Sequence, residues 1–174
     1  MNASKLAKVA GPPPQIMRNV LYLNSGTERF FEAAELAGLA DSDWSWSVKL
    51  ADFDNDGRND VFISNGMVRN FNHSDKPFST SDLIGRTEWE IYEDGPTRPE
   101  QNVAFRNLGD LKFEDSSMLW GLDQVSMSYS SVYADLDRDG DLDLIVNNLD
   151  ESPSIYRNDL DSGNGLVIGL RGTD

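Results

Sequence analysis

Apolar residues alternate with polar ones over two short stretches of the chain. In residues 44–51 apolar side chains occupy every second position, and residues 127–133 repeat the alternation. A period of two is that of a β-strand with one buried face. Each stretch leads, through an acidic segment, to a compact apolar run at residues 61–63 or 142–146. The pattern therefore predicts an all-β fold of short antiparallel strands.

Two parts of the chain are copies of each other at an offset of 83 residues. The offset aligns glycines, asparagines and apolar residues without a gap, which indicates internal duplication. The matched pairs include Asn24 with Asn107, Gly26 with Gly109, Phe30 with Phe113, Leu36 with Leu119, Gly38 with Gly121, Ala51 with Ala134 and Asn65 with Asn148.

The pattern of each copy predicts a strand, an acidic loop, a second strand and an outer hairpin. Residues 154–158 begin a third, partial copy of the segment at residues 103–107, and the apolar run at residues 166–170 predicts a final strand. Counting four strands per unit, we expect the last two strands of one unit followed by two whole units over residues 20–174. Residues 1–19 are expected to form an N-terminal extension.

The first whole unit carries an insertion at about residues 67–101, which interrupts the repeat. Thr80 or Ser81 is a suitable N-cap for a short helix that would run to Tyr92. Long excursions from a repeated scaffold often carry binding surfaces. The alternative is a lid that packs over an exposed strand edge, and both interpretations stay open.

The charge balance favours cations as ligands. The formal net charge is −15 and the isoelectric point is near 4.3. Such a surface repels nucleic acid and anionic membranes, so neither is an expected partner. The sequence has no apolar run long enough for a transmembrane helix, and it has no cysteine.

Nine aspartates are concentrated in two segments, residues 52–60 and 135–143, each with the pattern Asp-x-Asp-x-Asp-Gly-x-x-Asp. Aspartates at alternate positions of a curled backbone place their carboxylates on one side, as a hard cation requires. The predicted side-chain ligands are Asp52, Asp54, Asp56 and Asp60 in the first loop and Asp135, Asp137, Asp139 and Asp143 in the second. Arg58 and Asp141 are expected to contribute backbone carbonyls.

The pattern favours two calcium ions. An EF-hand needs a glutamate at position twelve and flanking helices, whereas position twelve here is Ile63 or Val146. Magnesium rarely uses a dedicated cage of carboxylates. Zinc is disfavoured because the chain has no cysteine and a single histidine, His73.

The acidic loops resemble those of a known family. The sequences Ala-Asp-Phe-Asp-Asn-Asp-Gly at residues 51–57 and Ala-Asp-Leu-Asp-Arg-Asp-Gly at residues 134–140 resemble FG-GAP or VCBS-type repeats. Residues 105–110 and 120–122 are similar to repeats of the ASPIC/UnbV group, and residues 164–174 resemble the start of the ASPIC/UnbV domain. The resemblance implies four-stranded blades of an integrin-α-like β-propeller, of which about two and a half are present.

An open propeller would leave unpaired strand edges. We therefore expect either a part of a longer protein or an oligomer. The resemblance implies a non-enzymatic module with structural calcium, which contacts a protein or glycan partner outside the cytoplasm as a secreted, periplasmic or surface protein.

The alternative hypothesis is part of a polysaccharide-acting hydrolase or lyase with a carboxylate-based site. The sequence contains no Gly-x-Ser-x-Gly or His-Glu-x-x-His motif. Adjacent residues of the His73-Ser74-Asp75 segment do not make a catalytic triad. A convergence of acidic side chains near Trp89 and Tyr92 would favour this hypothesis.

Overall fold

The computed structural model describes residues 18–69, 84–93, 95–160 and 168–172, and it is mostly β with two short helices. The strands are β1 (Tyr22–Asn24), β2 (Phe30–Glu32), β3 (Ser45–Ala51), β4 (Asp60–Asn65), β5 (Glu100–Gln101), β6 (Val103–Gly109), β7 (Lys112–Asp115), β8 (Val125–Ser126), β9 (Ser128–Ala134), β10 (Asp143–Asn148) and β11 (Ser154–Tyr156). The helices are α1 (Ala34–Ala37) and α2 (Glu88–Glu93).

The strands form open antiparallel sheets, as the sequence predicted. The largest has four strands in the order β3-β4-β6-β7, and a three-stranded sheet has the order β9-β10-β11. β1 pairs with β2, and β5 pairs with β8. In both larger sheets an acidic loop joins the first two strands, which are β3 and β4 or β9 and β10. The next strands of each sheet, β6 and β7 or β11, are added on the far side of the second strand. The all-β class is confirmed.

The two larger sheets adjoin along their first strands, β3 and β9. The hydroxyl oxygens of Ser47 and Ser131 lie 3.2 Å apart, and the hydroxyl of Tyr133 donates to the carbonyl of Leu50 at 3.3 Å. Near the other end of these strands, the rings of Trp46 and Tyr129 pack with centroids 4.5 Å apart. Repeat-equivalent strands thus lie side by side.

The alternation in residues 44–51 predicted β3 correctly but not the environment of its apolar face. Trp46, Val48 and Leu50 are each about half exposed, between 47% and 55%. The polar face is the more enclosed one, because Ser47 packs against β9 and its backbone N–H donates to the Ser64 hydroxyl. A period of two identifies two faces, but it does not say which face meets a neighbouring sheet.

β4 joins two apolar cores. Successive side chains of a strand point to opposite faces, so Phe62 enters one core while Val61 and Ile63 enter the other. Both neighbours of β4 are strands, and all six of its residues are buried. The first core contains Ala51, Phe53, Phe62, Ala104, Leu122, Leu144 and Val146. The second contains Ala37, Leu39, Val61, Ile63 and Phe105.

Equivalent residues of the two copies make equivalent hydrogen bonds. Two buried asparagines, at the ends of β4 and β10, each accept a bond from a serine hydroxyl at the start of the preceding strand. Each also donates a bond to a backbone carbonyl two residues before β6 or β11. These bonds join Ser45, Asn65 and Gln101 at 3.0 and 2.8 Å, and Ser128, Asn148 and Ser152 at 2.9 and 3.2 Å.

The insertion leaves and rejoins the first unit at one point. Met67 and Arg98 exchange two backbone hydrogen bonds of 2.8 Å, which close its base. α2 begins after Thr87, whose hydroxyl accepts from the Glu90 N–H while the Glu90 carboxylate accepts from the Thr87 N–H. This reciprocal pair is a capping box, and it starts the helix at Glu88. The predicted N-caps, Thr80 and Ser81, lie outside the described residues.

Several other predictions fall at or beyond the edges of the described chain. Residues 1–17 of the predicted N-terminal extension and residues 70–83, which include His73, lie outside it. The sequence pattern also predicted a final strand over residues 166–170. Residues 168–172 are not in a strand, and Ile168 and Leu170 are exposed. No helix in the described ranges is long and apolar enough to cross a membrane.

Gly66 provides a test of how the segment after β4 meets the second unit. A Cβ at this position would lie 2.4 Å from the backbone oxygen of Ser126, and φ is +119°. We expect Gly66→Ala to lower the free energy of unfolding by about 3–5 kcal/mol, through backbone strain and overpacking. Urea unfolding followed by tryptophan fluorescence measures this loss.

Gly26→Ala is the matched control, since Gly26 has φ of +74° but no atom within 4 Å of its added Cβ. We expect it to cost only the strain of the left-handed conformation, about 1–2 kcal/mol. Equal losses for the two variants would contradict the close approach of Gly66 to the backbone at Ser126.

Candidate metal centres

The first acidic loop connects β3 to β4 and curls around one carboxylate. Asp52 accepts hydrogen bonds from the backbone N–H groups of Asp56 at 3.0 Å and Gly57 at 2.8 Å. The tight path requires positive φ angles of 54° at Asn55 and 87° at Gly57. Asparagine and glycine adopt such angles more readily than other residues. The loop sequence therefore suits the turn that positions Asp52.

Asp60 anchors the loop to the sheet. Its side chain is fully buried, and its two carboxylate oxygens accept from the N–H groups of Phe53 at 2.9 Å and Asn107 at 2.8 Å. Burial raises the pKa of Asp60, and the negative charges of Asp54 and Asp56 add to the rise, while the two backbone donors oppose it. The loop thus holds a buried carboxylate beside two others.

The second loop connects β9 to β10 and repeats this arrangement. Asp135 accepts from the N–H groups of Arg138 at 2.6 Å and Gly140 at 3.2 Å. Asp143 is 2% exposed and takes the place of Asp60. Its carboxylate oxygens accept from the N–H groups of Leu136 at 2.8 Å and Asn158 at 2.9 Å.

Each loop brings three aspartates together. Each aspartate of a set contributes one carboxylate oxygen, and the three oxygens lie within 4.8 Å of one another. They are close enough to bind a single metal ion. The first set is Asp52, Asp54 and Asp60, and the second is Asp135, Asp137 and Asp143. All six are among the predicted ligands.

The fourth predicted carboxylate of each loop is not a member of its triad. Asp56 pairs with the guanidinium of Arg58 and accepts from the Arg58 N–H at 3.0 Å. Asp139 accepts from the N–H of Asp141 at 3.0 Å. Neither aspartate belongs to a triad, so its role as a ligand stays a prediction.

The residues predicted to offer carbonyls use their side chains to tie the loops to their surroundings. The Arg58 guanidinium donates to the carbonyl of Asn107 at 2.8 Å. Asp141 is buried, and its carboxylate accepts from the Asn55 side chain at 2.5 Å and from the Leu160 N–H at 3.1 Å. The Asn55–Asp141 bond links the two loops directly.

The sequence interpretation missed Asn107 and Asn158 as parts of these sites. Both follow an arginine in the outer strand region of their units, and that repeated Arg-Asn pair is the signal that could have found them. The Asn107 side chain donates to the carbonyl of Asn59 at 2.8 Å. The Asn158 side chain donates to the carbonyl of Phe53 at 2.8 Å. Asn158 therefore connects its own loop to the loop of the preceding unit.

Asp54 carries an unsatisfied acceptor inside the first triad. Its side chain is 10% exposed, and among the described residues its Oδ1 has no hydrogen-bond partner. Its Oδ2 lies 2.5 Å from the Arg106 Nε, a close ionic contact without well-directed hydrogen-bond geometry. Buried carboxylate oxygens without a partner are costly. A metal ion in the triad would satisfy Oδ1, so the residues fit such an ion.

A cavity of about 240 Å³ lies beside Asp54. Its wall is mainly apolar and combines residues of the first loop with residues of the second unit, among them Phe53, Trp120, Leu144 and Tyr156. The hydrolase hypothesis pointed instead to Trp89 and Tyr92. The Trp89 ring is exposed and its N–H donates to Glu93 at 2.8 Å, while the side chain of Tyr92 lies outside the described set.

Comparison with known families finds a similarity in the first part of the chain. Residues 9–63 match the family described as FG-GAP-like repeat. The matched segment contains β1 to β3, most of β4 and the whole first acidic loop. The resemblance to FG-GAP repeats is confirmed there, and the resemblance to the ASPIC/UnbV group stays a prediction. No curated protein matches the chain.

The second triad leads to a prediction about pH. The pKa of Asp137 is raised, mainly by partial desolvation within the loop and then by the charge of Asp139. A carboxyl whose pKa is higher in the folded than in the unfolded chain binds its proton more tightly when folded. It therefore lowers stability as pH rises above the unfolded value. In chelator, we expect Asp137→Asn to be more stable than the wild type at about pH 7 and equal to it near about pH 3.

Thermal melts in chelator across this pH range test the prediction, with Asp150→Asn as an exposed control outside the loops. A difference between wild type and Asp137→Asn that does not change with pH would contradict the raised pKa.

Proposed function

We propose that this chain is a calcium-stabilised part of a β-propeller, with one structural calcium ion in each acidic loop. The observation that carries the proposal is the pair of equivalent aspartate triads, one per unit, each at the same junction between two strands. Asp52, Asp54, Asp56 and Asp60 with the Arg58 carbonyl would hold one ion. Asp135, Asp137, Asp139 and Asp143 with the Asp141 carbonyl would hold the other.

Calcium suits the donors better than other biological cations. All the side-chain donors are carboxylates, which are hard oxygen ligands, and their number exceeds what magnesium usually takes from protein. Bound calcium would offset the repulsion among the carboxylates. Asp60 and Asp143 would then be held both by their two backbone donors and by the ion.

The arrangement of the units supports a propeller. The β3-β4-β6-β7 sheet has the four antiparallel strands of a blade, and β3 lies beside its repeat-equivalent β9. The match to an FG-GAP-like repeat supports the same architecture. Tyr22, Phe30 and Phe31, on the β1–β2 hairpin, are 61–62% exposed. Further units, from the same or another chain, would cover such apolar residues.

The proposed role is non-enzymatic binding outside the cytoplasm. FG-GAP repeats are typical of extracellular proteins, and millimolar calcium outside cells suits sites with dissociation constants on the order of 10⁻⁴–10⁻³ M. The propeller would present its loops, including the insertion, to a protein or glycan partner. The carboxylates at the cavity, Asp54 and Asp159, are each paired with an arginine, which favours structural roles for both.

Removing one ligand from each loop tests the proposal. We expect Asp54→Ala and Asp137→Ala each to reduce bound calcium from two ions per chain to one. At calcium about ten times the dissociation constant, each lost site removes about 1.4 kcal/mol of stabilisation. For a chain of this size that corresponds to a fall in melting temperature of about 3–5 °C. Elemental analysis and thermal melts provide the two measurements.

The control is the wild-type melt in calcium, in magnesium and in excess chelator. Stabilisation by calcium but not by magnesium is the expected result. A melting temperature that is the same in all three, with no metal bound, would refute the calcium sites.

A further inference from the structure

We propose that Arg106 is a built-in counter-cation of the first loop, and that the two calcium sites are therefore unequal. The second loop binds calcium more tightly, and calcium bound there stabilises the fold more than calcium in the first loop. The first loop is the weaker site and keeps its shape without an ion. This inference rests on the proposed calcium binding, and it concerns how the chain's own arginines divide the ions between the loops.

Two guanidinium groups already occupy the surroundings of the first triad. Arg106 lies 2.5 Å from Asp54 and reaches Asp56 at 3.5 Å. Arg58 pairs with the same Asp56 oxygen, Oδ2, that Arg106 reaches. The four aspartates of this loop thus share two positive charges at contact distance. Part of their mutual repulsion is offset before any metal binds.

In the second loop the equivalent arginine is near the triad but is paired elsewhere. Arg157 occupies the position equivalent to Arg106, and its guanidinium pairs with Asp159 at 2.7 Å. The hydrogen bond and charge of Asp159 raise the pKa of Arg157 most, and the charges of Asp137 and Asp139 raise it less. Among the described residues, no lysine or arginine forms an ion pair with an aspartate of the second triad. The position of Arg58 is taken in this loop by Asp141, so a positive charge is replaced by a negative one.

One residue difference explains why the equivalent arginines differ. Asp159 lies two residues after Arg157 and attracts its guanidinium. The equivalent position in the first unit is Leu108, two residues after Arg106. Without a carboxylate there, Arg106 turns to the loop and contacts Asp54. Leu108 and Asp159 are both exposed, so either can change without disturbing a core.

The charges set the order of affinity. A dication in the first triad would lie close to Arg106 and would compete with it for Asp54, which weakens binding. A dication in the second triad meets carboxylates that have no arginine in direct contact, so less positive charge opposes its binding. In the metal-free protein the carboxylates of the second loop repel one another more strongly than those of the first loop. The second loop is then the less stable of the two.

Calcium titration by calorimetry, with melts in chelator, tests the role of Arg106. We expect two unequal sites in the wild type. Arg106→Gln should tighten the weaker site by about tenfold or more, because a nearby positive charge is removed. It should also lower the melting temperature in chelator. Arg157→Gln is the matched comparison and should tighten the second site much less than Arg106→Gln tightens the first, since Arg157 senses the charges of Asp137 and Asp139 without an ion pair to either.

A reciprocal exchange tests the cause of the difference. Leu108→Asp should draw Arg106 away from Asp54 and tighten the weaker site, as Arg106→Gln does. Asp159→Leu should release Arg157 towards the second loop and weaken the tighter site. Asp54→Ala and Asp137→Ala assign the sites, since the first should abolish the weak site and the second the tight one.

The outcomes separate this inference from the proposed function. Two sites of equal affinity, or affinities that Arg106→Gln leaves unchanged, would overturn the role of Arg106 while calcium binding stands. The reverse assignment, with Asp137→Ala abolishing the weak site, would also overturn it. A wild type that binds no calcium would refute the proposed function and this inference together.

Discussion

Two buried carboxylates, Asp60 and Asp143, hold the rest of the structure together. Each begins an inner strand of its sheet and accepts one backbone N–H from its loop and one from Asn107 in β6 or Asn158 just after β11. Hydrogen bonds to a charged acceptor are roughly twice as strong as neutral ones. A single side chain thereby fixes three segments at one point. The same negative charge is buried next to other carboxylates, which repel it. A bound cation would offset this repulsion.

The arginines and asparagines around the loops reduce this repulsion in different ways. Arg106 supplies charge to the first loop, whereas Asn107 and Asn158 supply hydrogen bonds that position the backbone without changing the charge. Asp141 shows a third solution, because its buried carboxylate is satisfied by Asn55 from the neighbouring loop and by the Leu160 N–H. The loops are therefore similar in path but different in electrostatic environment, although their aspartates follow one sequence pattern.

Much of the fold, and part of the site, could be predicted from the sequence. Periodicity and duplication identified β3, β4, β9 and β10, because the alternation that marks a strand is a property of neighbouring residues. The six aspartates of the triads follow from spacing alone. The exposed apolar face of β3 and the partners of Arg106 could not be predicted, since both depend on which distant segments come together. α2 starts at the Thr87–Glu90 capping box. The sequence prediction had placed the start of this helix earlier, at Thr80 or Ser81.

The bond from the Asn158 side chain to the Phe53 carbonyl joins the outer part of one unit to the loop of the unit before it. Donor and acceptor sit on different surfaces, so the contact is head-to-tail and can be repeated from each unit to the next without using the same surface twice. Such heterologous contacts close into a ring or continue as an open row, depending on the rotation between neighbours. The number of units in an assembly of this kind is then determined by an angle between sheets, and a unit can be gained or lost without redesigning the contact itself.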